Sequence, residues 1–224
     1  MKAAILSLLL CLPAVADLAA GQQALKNGDY ATALKEFLPL AEQGDAVAQY
    51  NLGTLYHRGQ GVAQDYKEAA KWYGLAAGQG NAIAQSRLGV LYHQGHGVTQ
   101  DYKEAAKWYG LATEQGNAVA QWGLGVLYNF GHGVTQDYKE AAKWYGLAAE
   151  QGYAFAQWGL GVLYGEGHGI PQDYIQAHMW FNLAGTSGIA DGIKGRDIIA
   201  GKMTPEQIAE AQRRAREWKP KTSL

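Results

Sequence analysis

Apolar residues recur at helical spacing along most of the chain. After Gly44, a first stripe of apolar side chains falls on one helical face, at Ala48, Leu52, Leu55 and Tyr56. After a glycine-containing loop, a second stripe follows, at Tyr66, Ala69, Ala70, Tyr73, Ala76 and Ala77. Asp45 and Asp65 precede the two stripes and suit the N-cap position of a helix. The pattern therefore predicts helix A, a short loop and helix B.

This helix pair recurs every 36 residues. A glycine stands at that interval from Gly44 to Gly188, and the segments 81–116 and 117–152 differ at only six positions. The period predicts four units: 45–80, 81–116, 117–152 and 153–188. One helix pair cannot bury both of its apolar faces, so the units are expected to stack into a solenoid. In that stack, Trp72 and Leu75 of helix B are expected to meet the following repeat.

Both ends of the array are expected to be capped. Residues 17–44 form an imperfect first helix pair, and residues 189–224 contain a degenerate helix A and a last helix. That last helix begins at Thr204-Pro205-Glu206-Gln207, which has the residues of a capping box and a proline at the first helical position.

The repeated motif resembles the Sel-1-like repeat, a relative of the tetratricopeptide repeat. The resemblance rests on Ala48-Gln49, Leu52-Gly53, Leu55-Tyr56, Gly59, Gly61-Val62, Asp65-Tyr66, Ala69, Trp72-Tyr73 and Ala76-Ala77, which recur in later units. The segment Met203–Gln207 also resembles the tail of many bacterial members. The resemblance implies an all-α, right-handed solenoid of helix-turn-helix repeats that acts as an interaction scaffold or adaptor.

The first sixteen residues have the layout of a secretory signal peptide. Lys2 precedes an apolar run from Ala3 to Leu12, and Ala14-Val15-Ala16 offers a small-residue cleavage site. We expect cleavage after Ala16, export to the periplasm and no stable membrane insertion afterwards. Cleavage would remove Cys11, the sole cysteine, so no disulfide is expected in the mature protein.

Composition and net charge indicate a folded protein and argue against one class of partner, nucleic acid. Hydrophobic residues make up 48% and charged residues 17% of the chain, which is typical of a folded protein. The formal net charge is −1, so no general electrostatic attraction to nucleic acid is expected.

Several tempting chemical motifs have simpler explanations. His96, His132 and His168 occupy one loop position in successive units, so they lie a repeat apart and are not expected to converge on a metal ion. The chain after Ala16 lacks S-x-x-K and G-x-S-x-G nucleophile motifs. We therefore predict no catalytic, metal or cofactor-binding residue.

The positions that differ between repeats are the candidate binding residues. They lie on the face of helix A that lines the concave groove in tetratricopeptide relatives, and the last two repeats make an aromatic end. The predicted partner-binding residues are Tyr50, His57, Arg58, Ser86, His93, Trp122, Phe130, Phe155 and Trp158. Exposed aromatic side chains can anchor a protein, a peptide or a sugar ring. Alternatively, these aromatics simply fill the inner curve of the solenoid.

The leading interpretation is a non-enzymatic scaffold or adaptor in the cell envelope that binds an unidentified protein or peptide. A second is a β-lactamase or penicillin-binding-like enzyme, as suggested for cysteine-rich relatives, although this chain lacks their cysteine pairs. A third is a cell-wall glycan binder, with peptidoglycan as the ligand of its aromatic end.

Overall fold

The computed structural model describes residues 16–221, which contain twelve α-helices. Residues 1–15 of the predicted signal peptide, including Cys11, lie outside the described residues. The helices are α1 Leu18–Lys26, α2 Tyr30–Glu42, α3 Ala46–Arg58, α4 Tyr66–Gly78, α5 Ala82–Gln94, α6 Tyr102–Thr113, α7 Ala118–Phe130, α8 Tyr138–Glu150, α9 Ala154–Glu166, α10 Tyr174–Thr186, α11 Ala190–Ala200 and α12 Pro205–Glu217.

Aspartate caps start the helices where the sequence predicts them. The Asp65 carboxylate accepts hydrogen bonds from the backbone N–H groups of Lys67 and Glu68, at 2.8 and 3.1 Å. Glu68 itself pairs with Lys71, at 3.2 Å, on the solvent side of α4. At α12, Thr204 and Gln207 form the complete reciprocal capping box. At α1, Asp17 is the N-cap.

The backbone nitrogen of that first cap residue also makes a tertiary contact. The N–H of Asp17 donates to a carboxylate oxygen of Glu36, at 2.9 Å, and thereby ties the start of α1 to α2.

Successive helices pack in order along an all-α solenoid, as the sequence predicts. Each helix from α1 to α11 packs against its neighbours in the chain, and α12 packs back onto α10. The A helices α5, α7, α9 and α11 also contact one another directly, each with the next. The contacts between successive A helices place them on the inner side of the stack. The B helices lie outside and carry the Lys–Glu pairs of their exposed faces.

Helix A packs closely against helix B at a glycine of helix A. A Cβ atom on Gly53 would lie 2.7 Å from the ring of Tyr73, which is 1% exposed. The tyrosine ring therefore occupies the space that glycine leaves free, and the two helices approach closely.

The expectation for Trp72 is wrong. Trp72 packs into a cluster formed largely by α2 and α3, which precede it, and Trp108 packs in the same way against α4 and α5. The indole therefore packs into the interface with the preceding repeat. In the stack, this face of helix B lies towards the preceding repeat and not towards the following one. Leu75 is 47% exposed, and it borders the following repeat as expected, in a cavity that it lines with Leu88 and Trp108.

A ladder of glutamine pairs joins successive repeats, and in each pair the acceptor glutamine on helix A is buried. The Gln79 amide donates to the backbone oxygen of Gly44 and to the side-chain oxygen of Gln49, at 3.0 and 2.8 Å. Gln115 with Gln85 and Gln151 with Gln121 repeat the contact. The glutamine ladder stops at the fourth repeat, because Ser187 stands where the next donor would be.

Candidate functional site

Four of the predicted aromatic residues gather around one groove on the inner face. Trp122 and Phe130 belong to α7, and Phe155 and Trp158 belong to α9. Together with Tyr138, Val162 and Glu166, they line a cavity of about 480 Å³. Phe130 is 60% exposed, Phe155 48% and Trp158 37%, so much of this apolar surface faces solvent. We call this region the aromatic groove.

Smaller residues in the fourth repeat make room for the groove. Gly159 lines it, and the equivalent position in the second repeat holds Arg87. Gly165 stands where the earlier repeats have His57, His93 and Asn129. It lines an adjoining cavity of about 330 Å³ between α9 and α11, which shares its Trp158, Val162 and Glu166 walls with the aromatic groove.

Tyr153 supports the aromatic groove from behind its lining residues, and the sequence reasoning missed it. Its ring lies 5.7 Å from Trp122 and 6.0 Å from Phe155, between ring centroids. The earlier repeats place Asp45, Asn81 and Asn117 at this N-cap position, and each caps its helix, whereas α9 has no side-chain cap. Losing such a cap costs about 1 kcal/mol. An aromatic residue in place of a cap was the available signal in the sequence.

The predicted residues of the first two repeats lie further along the same face, and they differ from one another in exposure. Arg58 is exposed, and Tyr50, His57 and His93 are half-buried. The imidazoles of His57 and His93 pack edge-on against Tyr66 and Tyr102, at 5.3 and 5.4 Å between centroids. These two histidines therefore support the helix B that follows them.

Ser86 does not belong to the site, and its assignment as a partner-binding residue is wrong. The side chain is 2% exposed, and its hydroxyl donates to the backbone oxygen of Ile83, at 3.0 Å. A small side chain can turn inwards at this position, whereas Trp122 and Trp158 are too large and project into the groove.

The N-terminal half of the inner face is positively charged. Burial lowers the pKa of His57, and the charges of Arg87 and Arg58 lower it further. Burial raises the pKa of Tyr153, and the charge of Arg87 opposes that shift. Arg87 on α5 is thus electrostatically coupled both to the first repeat and to the aromatic groove.

The loop histidines are structural contacts between repeats. His96, His132 and His168 stack on Tyr66, Tyr102 and Tyr138 of the preceding repeats, at 4.8, 4.6 and 4.7 Å between centroids. Across residues 16–221, no three His, Cys, Asp or Glu side chains come close enough together to hold a metal ion. Within the same range, no helix combines the length and the hydropathy needed to cross a membrane.

Comparison with known proteins agrees with this architecture. The family model described as Sel1 repeat matches residues 46–81, 82–117, 118–153 and 154–189. A crystal structure of a protective antigen present in uropathogenic Escherichia coli strains, displaying an SLR fold, superposes with a TM-score of 0.81 at 35% identity. It covers 88% of this chain, but this chain spans only 43% of that protein.

A Sel1 repeat protein from Oxalobacter formigenes superposes with a TM-score of 0.70 at 29% identity. That alignment covers 88% of this chain and 85% of the other. No curated protein matches the sequence.

Proposed function

Because this chain belongs to the Sel1 repeat family, we propose that it is a non-enzymatic scaffold or adaptor whose aromatic groove receives a segment of a partner protein. Sel1 repeats are in general protein–protein interaction modules, and the family is typically non-catalytic. With its predicted signal peptide, the protein is proposed to act in the cell envelope, in the periplasm.

The observation that carries the proposal is the exposed aromatic surface of the groove. Phe130, Phe155 and Trp158 are all more than a third exposed, although an adjacent core is available to bury apolar side chains. A monomer gains little from leaving three such rings in water, whereas aromatic anchors in concave pockets contribute a large share of binding energy at interfaces. The missing side-chain cap of α9 also supports the proposal, because the cap position holds Tyr153, which packs against the groove residues Trp122 and Phe155.

The other repeats supply substitutions that test the groove while respecting the fold. Gln94, Val119 and Ser86 occupy the positions of Phe130, Phe155 and Trp158 in earlier units. The triple variant Phe130→Gln/Phe155→Val/Trp158→Ser therefore removes the exposed rings. All three side chains are substantially exposed, so we expect the free energy of unfolding to change by only about 1 kcal/mol.

Crosslinking in the native cell envelope, followed by mass spectrometry, measures the effect on binding. We expect the wild-type protein to capture a defined partner and the triple variant to lose it. Leu147→Ala is the matched control, since Leu147 is 41% exposed on the outer helix α8. Retention of every partner by a folded triple variant would place the binding surface elsewhere.

A glycan ligand is a separate candidate because aromatic rings also stack on sugars. Sedimentation of the purified protein with peptidoglycan tests it directly. Groove-dependent sedimentation in the absence of a protein partner would favour the glycan.

A further inference from the structure

Basic residues lie on the inner helices that precede the aromatic groove, and a glutamate borders the groove itself. Arg58 and Arg87 lie towards the first repeats, and Glu166 borders the groove at the end of α9. Position 58 of the first repeat and position 166 of the fourth are equivalent in the 36-residue period, so the charge at one repeat position reverses along the array.

The two arginines are available to a ligand. Within residues 16–221, neither guanidinium lies within 4.0 Å of a carboxylate. Arg58 is exposed and Arg87 is half-buried at the edge of the inner face. An unpaired guanidinium presents a planar set of donors that matches a carboxylate.

The opposite end carries both a carboxylate and lysines. Glu166 borders both cavities, and its side chain is 55% exposed. Its close partner is His168, whose Nδ1 lies 3.0 Å away. Of the lysines at the adjoining cavity, Lys194 pairs with Asp191 at 3.0 Å, and Lys202 lies over the ring of Tyr174.

The basic and apolar parts lie on neighbouring inner helices. Helix α5, which carries Arg87, packs directly against α7, which carries Trp122 and Phe130 of the aromatic groove. A ligand that fills the aromatic groove therefore extends naturally towards Arg87.

From this arrangement, we infer that the groove selects a protein segment with apolar side chains beside an acidic stretch. The acidic stretch lies over Arg58 and Arg87, and the apolar side chains fill the aromatic groove. This inference rests on the proposed function and specifies the chemistry of its partner.

Selection from a display library of random short peptides tests the inference with the full protein as bait. We expect the wild-type protein to enrich peptides that combine acidic and apolar residues. The variant Arg58→Glu/Arg87→Gly places residues of the fourth repeat at equivalent positions of the first two, and it should lose the acidic bias. Lys107→Glu on the outer helix α6 is the matched control and should keep it.

The best acidic peptide then gives an affinity for each folded variant by calorimetry. Arg58→Gln/Arg87→Gln should weaken binding about tenfold, an effect that added salt should diminish. Circular dichroism and melting curves show whether each variant is folded.

Two results would overturn the inference, and they are distinguishable. Peptides that require Phe130, Phe155 and Trp158 but show no acidic bias, or no response to the arginine variants, would refute the charge selection and leave the proposed function standing. If no selected peptide requires the three aromatic residues, both the inference and the aromatic groove as a peptide site are wrong.

Discussion

A single residue ends the glutamine ladder. In the fourth repeat, the side-chain oxygen of Gln157 is buried without a hydrogen-bond partner, because Ser187 replaces the glutamine found at positions 79, 115 and 151. A buried unsatisfied acceptor is costly, and a neutral hydrogen bond contributes about 1 kcal/mol.

Ser187→Gln should therefore stabilise the protein. The new amide can donate to Gln157 and to the backbone oxygen of Gly152, and we expect the free energy of unfolding to rise by about 1 kcal/mol in a denaturant titration. Gln151→Ala removes an existing contact and should lower it by a similar amount. Equal stability of Ser187→Gln and wild type would contradict this account of the ladder.

Residue environments also predict a dependence of stability on pH. Burial lowers the pKa of His57, His93 and His178, so the folded state favours the neutral imidazoles. Their stabilising contribution is complete above the unfolded pKa of about 6.5 and is lost as the pH falls through the lower folded values.

Melting curves should accordingly show a lower melting temperature at about pH 5 than at about pH 7.5. Asn129 occupies the position of His57 and His93 in the third repeat, which makes His57→Asn/His93→Asn a compatible variant. It should flatten the curve over this interval. An unchanged slope would assign the acid sensitivity to other groups.

At the scale of elements, helix caps and apolar spacing predicted most of the architecture. The Asp caps and the capping box of α12 follow from local chemistry, which one sequence displays directly. The burial of Ser86, the direction of Trp72 and the role of Tyr153 depend on how one repeat meets another. That geometry is set by stacking, so the sequence pattern alone did not determine it.

The loops and helices use glycine for different reasons, and substitution separates them. Gly133 has a φ of 70°, and a Cβ there would lie 2.6 Å from the Tyr102 backbone of the preceding repeat. Gly110 lies within α6, and a Cβ atom added there would meet no other atom within 4 Å.

Gly133→Ala should lower the melting temperature, because it combines a strained backbone with a clash between repeats. Gly110→Ala should raise the free energy of unfolding by about 0.5–1 kcal/mol, since alanine restricts the unfolded chain and favours helix. Thermal denaturation of both variants checks the pair. Matching effects of the two substitutions would disprove the contact between the loop and the preceding repeat.

At the scale of the whole molecule, the array is closed at its C-terminal end by contacts that return to the third and fourth repeats. Trp218 packs edge-on against Trp180, at 6.2 Å between centroids. The Lys221 ammonium lies 3.0 Å from Glu150 of α8, and the Lys221 backbone N–H donates to the Glu150 backbone oxygen. These contacts cover the last stacking face.

Trp218→Ala should loosen one end of the molecule rather than all of it. Because each repeat contacts mainly its neighbours, the loss of stability is expected to be local. Hydrogen exchange should accelerate most in α8, α10 and α12 and least in α3 and α4. Uniform acceleration along the chain would show that the solenoid unfolds as one cooperative unit.

The contact between Asp17 and Glu36 acquires a further meaning under the proposed cleavage after Ala16. The nitrogen that donates to Glu36 would then no longer be an amide but a free α-ammonium group, and the hydrogen bond would become an ion pair. A positive charge at the start of a helix is opposed by the helix dipole, and the carboxylates of Asp17 and Glu36 offset it. Proteolytic maturation would thus create a charged N-terminus whose counter-ion, the Glu36 carboxylate, is already in place in the folded protein.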